Sequence, residues 1–210
     1  MPLDLEEQEK VEELKAWWKQ YGTMIMTVLL AAAVGFAGWS IWQVYKRNQA
    51  EEASAVYEAL GKAIQENDAK AVREASGTLV ELFPRTHYAA MGALLAARHH
   101  VDRGDLKSAK AQLQWVIDGA PSDDLRDLAR LRMGAVLLDE NAHDDALKIA
   151  EGPHAAAYDA QFAALKGDAL VAKNQVAEAK AAYKVALEKA GSEQRAFSES
   201  VRMRLEGLGG

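Results

Sequence analysis

The chain of 210 residues contains no cysteine. That absence excludes disulfides, a thiolate nucleophile, Cys-ligated zinc, iron–sulfur clusters and a lipidated N-terminal cysteine. It does not choose a compartment, because a cysteine-free chain suits reducing and oxidising surroundings equally. β-Branched residues are scarce too: 14 Val, 5 Ile and 4 Thr against 41 Ala. Alanine is the strongest helix former and strands favour β-branched side chains, so the balance predicts an all-α protein and excludes a large sheet. An excess of basic charge is also missing. Lys and Arg number 25 and Asp and Glu 31, a net charge of −6. The electrostatic footprint that a phosphate backbone requires is therefore absent, and nucleic acid is not expected as a partner.

Motifs that carry chemistry are lacking as well. There is no HExxH, no phosphate-cradling Gly-rich loop and no nucleophile elbow. His99 and His100 are adjacent, so on a helix their rings point about 100° apart and cannot simply share a metal. The acid pairs Asp123-Asp124 and Asp144-Asp145 stand where helices are expected to begin, and there they are expected to satisfy free backbone donors and the helix dipole. No catalytic, cofactor-binding or metal-ligating residue is assigned, and the expectation is a protein that is not an enzyme and carries no cofactor.

What the chain does have is one long apolar run. From Gln20 to Tyr45, 26 residues carry no formal charge. As a helix they rise about 39 Å against a hydrocarbon core of about 30 Å, enough to span a bilayer with tilt. Trp17, Trp18 and Tyr21 precede the run, and Trp39, Trp42 and Tyr45 close it; rings of this kind settle at the headgroup level. A buried core helix would be shorter, and a cleavable signal peptide would have a basic leader, whereas Asp4, Glu6, Glu7, Glu9, Glu12 and Glu13 make this leader acidic. The run reads as a retained anchor. Its orientation is undecided by charge: Lys10, Lys15 and Lys19 on one side balance Lys46, Arg47 and Lys62 on the other. Val11, Leu14 and Trp17/Trp18 place one apolar stripe on a short helical extension of the anchor. Ala31 and Gly35 are spaced so that another helix could approach.

The remaining residues, 46–210, show helical periodicity broken at Asn67-Asp68, Phe83-Pro84, Arg103-Gly104-Asp105, Gly119-Ala120-Pro121, Glu140-Asn141, Gly152-Pro153, Lys173-Asn174 and Gly191-Ser192. That spacing predicts helices of about 10–18 residues in successive hairpins. Ala109, Ala146 and Ala179 recur at 37 and 33 residues, with Ala97, Gly134 and Gly167 each twelve positions earlier. A period near 34 with small residues where paired helices cross resembles the tetratricopeptide repeat. The small residues let the helices approach while Leu113 and Tyr183 fill the gap. Pro153 shortens the second unit, and the first hairpin, about 48–84, reads as a capping unit. An array of this kind offers a long surface to protein ligands, and Tyr88, Arg98, His99, Tyr158 and Phe162 are the candidate contacts. Trp115 and Tyr183 are expected in the core.

An N-terminal span followed by divergent repeats resembles the YfgM family, ancillary subunits of the SecYEG translocon. The resemblance rests on Glu12-Glu13-Leu14-Lys15-Ala16-Trp17-Trp18-Lys19-Gln20-Tyr21-Gly22, on Gly38-Trp39-Ser40-Ile41-Trp42, on Tyr57-Glu58-Ala59-Leu60, on the stretch from Asp105 to Val116 and on Leu165-Lys166-Gly167-Asp168-Ala169-Leu170. It implies a cytosolic segment 1–19, a transmembrane helix 20–45 in the bacterial inner membrane and a periplasmic tetratricopeptide-like domain 46–210. The fold it implies is all-α: a transmembrane helix followed by a solenoid of helical hairpins. It also implies association with SecYEG and with a membrane-anchored periplasmic prolyl-isomerase-like chaperone, and a role in passing newly translocated chains to periplasmic chaperones. It brings no catalytic residue. Two alternatives stand beside it: a regulator that sequesters a stress-signalling protein, and an enzyme of unrecognised type.

Overall fold

Alanine, leucine and long polar side chains dominate the chain, and helices form wherever no turn signal intervenes. The computed structural model describes residues 5–191 and 193–209, with side chains from residue 9 onward. Asp4 of the acidic leader and Ser192 of the last expected break lie outside the described residues, as do the side chains of Glu6 and Glu7. Among the described residues no strand occurs. The elements are α1 (Leu5–Gln65), α2 (Ala69–Leu82), α3 (His87–Asp102), α4 (Leu106–Gly119), α5 (Asp123–Asp139), α6 (His143–Ala150), α7 (Asp159–Ala172), α8 (Val176–Lys189) and α9 (Arg195–Gly207), with one 3-10 turn at Ala156–Tyr158. The chain falls into two units, residues 1–49 and 50–210.

From residue 20 to residue 45 the helix is apolar on every side, and none of its apolar window is buried. Leu14, Met24, Leu30, Val34, Phe36 and Ile41 are between 64% and 72% exposed. A helix that is apolar all round belongs in a core or a bilayer, and this one is long and apolar enough to cross a membrane. Trp17, Trp18, Tyr21, Trp39, Trp42 and Tyr45 are all exposed. Trp17 packs against Tyr21 with ring centroids 5.7 Å apart, and Lys46 Nζ sits 4.3 Å above the Trp42 ring. Gly22 makes room for Trp18, whose Cε2 a Cβ there would approach at 3.0 Å. Gly35 and Gly38 face open space.

Residues 50–210 stack as hairpins, and one device makes the turn inside each. Asn67, Gly104, Asn141 and Asn174 have φ of 56°, 74°, 61° and 60°. The amide of the next residue reaches back five positions, Asp68 to Ala63, Asp105 to His100, Ala142 to Leu137 and Gln175 to Leu170, at 2.8–3.0 Å. A left-handed residue followed by this bond ends a helix by covering its free carbonyls, and glycine or asparagine adopts it at least cost. Two of the following helices start on a cap. The Asp68 carboxylate accepts from the Lys70 and Ala71 amides, both at 3.0 Å, and Asp105 accepts from Ser108 at 3.1 Å. The link between α6 and α7 carries Gly152 and Pro153, and α6 has eight residues, below the expected range, because it stops ahead of that pair.

The acid pairs act differently from expectation. Asp123-Asp124 and Asp144-Asp145 sit inside the first turns of α5 and α6, not ahead of them, and the cap positions Ser122 and Ala142 make no side-chain cap bond. The carboxylates meet cations instead: Asp123 pairs with Arg126 at 2.9 Å, Asp145 with Lys148 at 2.9 Å, and Asp144 with Lys173. Only the favourable placement near the positive helix end remains of the expected role.

Ala97, Ala109, Leu113, Ala146, Ala179 and Tyr183 are at most 2% exposed, and Gly134 and Gly167 are buried. A Cβ on Gly167 would lie 2.4 Å from Cε1 of Tyr183, its partner across the hairpin. Gly134 differs from expectation: its Cβ would lie 2.4 Å from Cδ2 of Leu165, on the next hairpin. The reason is the layering. Helices α3, α5 and α7 lie side by side as an inner layer, while α4, α6 and α8, the outer layer, stand further apart. Open grooves lie along the outer layer, one of about 480 Å³ over Met133, Leu137 and Ile149 and one of about 500 Å³ over Leu170, Ala182 and Val185. Trp115 is half-buried between the α3–α5 core and the α1–α3 core. At the far end α9 closes the stack, with Val201 buried beside Tyr183 and Ala186.

Candidate partner-binding face

The inner layer takes its surface from side chains on the one stripe of each helix that neighbouring hairpins leave uncovered. On α3 that stripe is Tyr88, Met91, Leu95 and Arg98, spaced three and four residues apart. Tyr88 is half-buried and packs against Tyr57, with centroids 5.9 Å apart and the rings tilted by 50°. Met91 is exposed, Leu95 half-buried, and Arg98 exposed. Arg98 Nε donates to both carboxylate oxygens of Asp102, at 2.8 and 3.1 Å. From α5, Arg132 reaches across to α3 and donates to the Leu94 carbonyl at 3.2 Å. Burial first, and then Arg98, disfavour its charged form. Sequence reasoning missed Arg132, which is exposed on α5 one turn after Leu128, a half-buried leucine packed against the core.

Two of the expected contact residues belong to the interior. His99 is 6% exposed and its Nε2 has no hydrogen-bond partner. It lies seven residues after Gly92, on the line Ala89, Gly92, Ala96 that packs toward the preceding hairpin. Phe162 is 1% exposed and stacks on His154 at 4.0 Å, nearly parallel. Both are corrected from partner contacts to packing, because a one-residue step turns a helical side chain by about 100° and carries it off the open stripe. His100, beside His99, is partly buried; that burial, together with His99, Arg73 and Arg103, outweighs Asp105 and lowers its pKa.

Tyr158 ends the 3-10 turn and is half-buried. Burial and the carboxylates of Asp124 and Asp127 push its phenol up. The link it belongs to is tied to α5 by Asp127, a buried carboxylate that accepts from the Ala155 amide at 2.8 Å and from Arg130 Nη1 at 2.6 Å. A second tie, near the array's end, joins Asp168 to the Tyr183 hydroxyl at 2.7 Å and to Arg204 at 2.7 and 3.0 Å. Burial and Asp168 push the Tyr183 phenol well above its ordinary value. The first clasp ties α5 to the α6–α7 link, and the second ties α7 to α8 and α9. Among the described residues no three His, Asp or Glu side chains come together in a way that could hold a metal ion.

The model of the family described as tetratricopeptide repeat-like domain matches residues 15–210. The chain belongs to that family. The tetratricopeptide repeat-like assignment takes in both the hairpins and most of α1. Curated relatives match along nearly their whole length. A Haemophilus influenzae protein is 28% identical over 208 residues, 99% of this chain and all of the relative. A Neisseria gonorrhoeae protein is 29% identical over 209 residues, again 99% and all. An Escherichia coli protein is 25% identical over 202 residues, 96% of each. All three are named ancillary SecYEG translocon subunit, in agreement with the resemblance to the YfgM family. Met91, Arg98 and Arg132 are exposed side chains of this tetratricopeptide repeat-like array, and Tyr88 and Leu95 are half-buried beside them.

Proposed function

We propose that this chain is a membrane-anchored, non-enzymatic scaffold of the SecYEG translocon. The observation that carries the reading is the likeness, over nearly all of both chains, to proteins named as ancillary subunits of that translocon. The likeness takes in the apolar helix as well as the array, which are the two parts a tethered scaffold needs. Residues 20–45 span the inner membrane, with Trp17, Trp18 and Tyr21 at one headgroup layer and Trp39, Trp42 and Tyr45 at the other. Residues 1–19 face the cytosol and 46–210 the periplasm. Confinement to the membrane surface raises the array's effective concentration near its partners without any new contact. Those partners are SecYEG, a membrane-anchored periplasmic prolyl-isomerase-like chaperone and the chains that leave the channel, which the array helps to pass on.

Two measurements test the reading. Purification of the tagged full chain in mild detergent is expected to recover SecYEG subunits and the chaperone. Recovery of neither overturns the scaffold role, and recovery of SecYEG alone removes the chaperone from it. For topology, Lys184→Cys places a single thiol on the exposed side of α8 in a cysteine-free chain. An impermeant thiol reagent is expected to label it once the outer membrane is opened. Labelling only after lysis would put the array in the cytosol and favour a regulator that sequesters a signalling protein.

A further inference from the structure

The link between α6 and α7, residues 151–158, is tied down at three consecutive residues. On either side of the middle one, Arg130 Nη1 of α5 donates to the Pro153 carbonyl at 3.3 Å, and Asp127 of α5 accepts from the Ala155 amide at 2.8 Å. The middle one is His154, whose ring lies 4.0 Å from that of buried Phe162 and nearly parallel to it. Its Nδ1 is 2.8 Å from the Gly152 carbonyl oxygen, and its Nε2 is 3.4 Å from Asp159 Oδ1, in the first turn of α7. Both ring nitrogens therefore face an acceptor. A carbonyl has no proton to give, so Nδ1 carries one. A neutral imidazole has no second N–H, and its Nε2 then turns a lone pair toward a carboxylate. Only the imidazolium serves both neighbours.

The rest of the surroundings suits a ring that gains and loses charge. The Phe162 face lies against it, and an aromatic face attracts a cation. Asp159 has an alternative cation, since its Oδ2 is 3.6 Å from Lys189 Nζ on α8. It can therefore keep a partner when the imidazole is neutral. On the α5 side Asp127 and Arg130 answer each other at 2.6 Å while they hold the backbone of the link. Asp124 and Asp127 act on Tyr158, and Glu151 turns to Lys166 at 2.7 Å. His154 is half-buried, so water reaches it to bring and remove a proton, and histidine is the side chain whose ordinary titration falls between pH 5 and 8. We infer that His154 is a pH-operated latch: protonated, it pins the α6–α7 link to α7 over Phe162, and neutral, it releases Asp159 and lets the link loosen. The stretch that it holds includes Tyr158, so the surface offered there changes with pH.

The test follows amide hydrogen exchange by mass spectrometry in the full chain in lipid nanodiscs. Rates are taken at pH 5.5 and pH 7.5 and corrected for the intrinsic pH dependence of exchange. Peptides covering residues 150–163 are expected to exchange about threefold faster at pH 7.5, the scale of one partly exposed ion pair. His154→Gln keeps a donor for the Gly152 carbonyl but takes no charge, and it should lose the difference between the two pH values. Asp159→Asn should lose it too, which a histidine that titrates without its carboxylate would not do. Peptides from α3 are the reference, and both variants should leave their exchange as in the wild type. Circular dichroism melting checks the fold of each variant, and Asp159→Asn carries the comparison if His154→Gln fails to fold. Equal corrected exchange of the link at both pH values in the wild type would overturn the inference. So would a difference that survives undiminished in either variant. Exchange is read within the link because His100, on another hairpin, acts on the stability of the whole array over the same pH range. No translocon is needed, so a failure here leaves the translocon reading standing, and a failed co-purification leaves the latch standing.

Discussion

Residues 1–49 and 50–210 draw on the same helix-forming residues and treat them in opposite ways. In the first, Leu30 is 68% and Ile41 72% exposed; in the second, Leu60, Leu79 and Leu113 are at most 1%. In the first, the apolar run of residues 20–45 stands exposed on every side of the helix, as a bilayer-spanning helix would. The second is held by close approach. Its alanines and glycines lie where helices cross; burial is spread around α3 and α7, whereas α2 and α4 each bury one stripe, Val72, Ser76 and Leu79 in the first and Ala109, Leu113 and Val116 in the second. A change that adds bulk or charge should therefore harm the two units through different physics, and the harm should stay in the unit that receives it.

The largest expected effect is in the array. Asp127→Ala strands Arg130 and the Ala155 amide together, and it should cost about 3 kcal/mol in urea unfolding followed by circular dichroism. Next, Leu30→Arg puts a charge in the apolar run, an insertion cost of about 3 kcal/mol at most that is eased by snorkelling. It should shift the chain out of the carbonate-washed membrane fraction while leaving the array's urea midpoint where it was. A moved midpoint would break the separation between the two units. A matched pair of glycines sharpens it: Gly167→Ala forces Tyr183 aside and should cost about 2 kcal/mol, whereas Gly35→Ala, facing open space, should stay within about 0.5 kcal/mol.

The smallest expected effect is a pH dependence confined to the array. The His100 pKa is lowered on folding, by burial first and by His99, Arg73 and Arg103 after it, against Asp105. As pH falls from above 6.5, the unfolded chain takes up a proton that the folded one resists, so stability should decline until the folded pKa is passed. His100→Gln should flatten the urea midpoint between pH 7 and pH 5, measured against the wild type. An equal slope in the two would remove His100 from the account.

Much of this fold could be read from the sequence because its punctuation is local. Asn67, Gly104, Asn141 and Asn174 stand inside the expected breaks, and each needs only its own turn to act. The recurrence of small residues also reported burial well. What it did not carry was the identity of the partner: Gly134 meets Leu165, which belongs to another hairpin, and nothing near Gly134 names it. Asp127 was hidden for the same reason, since the Ala155 amide it holds is 28 residues away. At the candidate face the residue types were the right kind but the angular position was not resolved. Arg98 and His99 are neighbours in sequence, yet the first is exposed and the second buried, and Arg132 became visible as a neighbour of Arg98 only when α3 and α5 were laid together. α9 closes the stack through Val201 beside Tyr183 and through Arg204 reaching Asp168, a contact that spans 36 residues.

The hairpins touch their immediate neighbours and little beyond, which has a consequence for how the chain is made. Contacts that are close in sequence form quickly and need no distant segment to arrive first. Each hairpin can therefore set as soon as the one before it is in place, with the last pair stabilised when α9 arrives. A chain delivered end-first through a narrow passage can fold at the rate it emerges, and at each moment it leaves only its newest apolar edge without a partner.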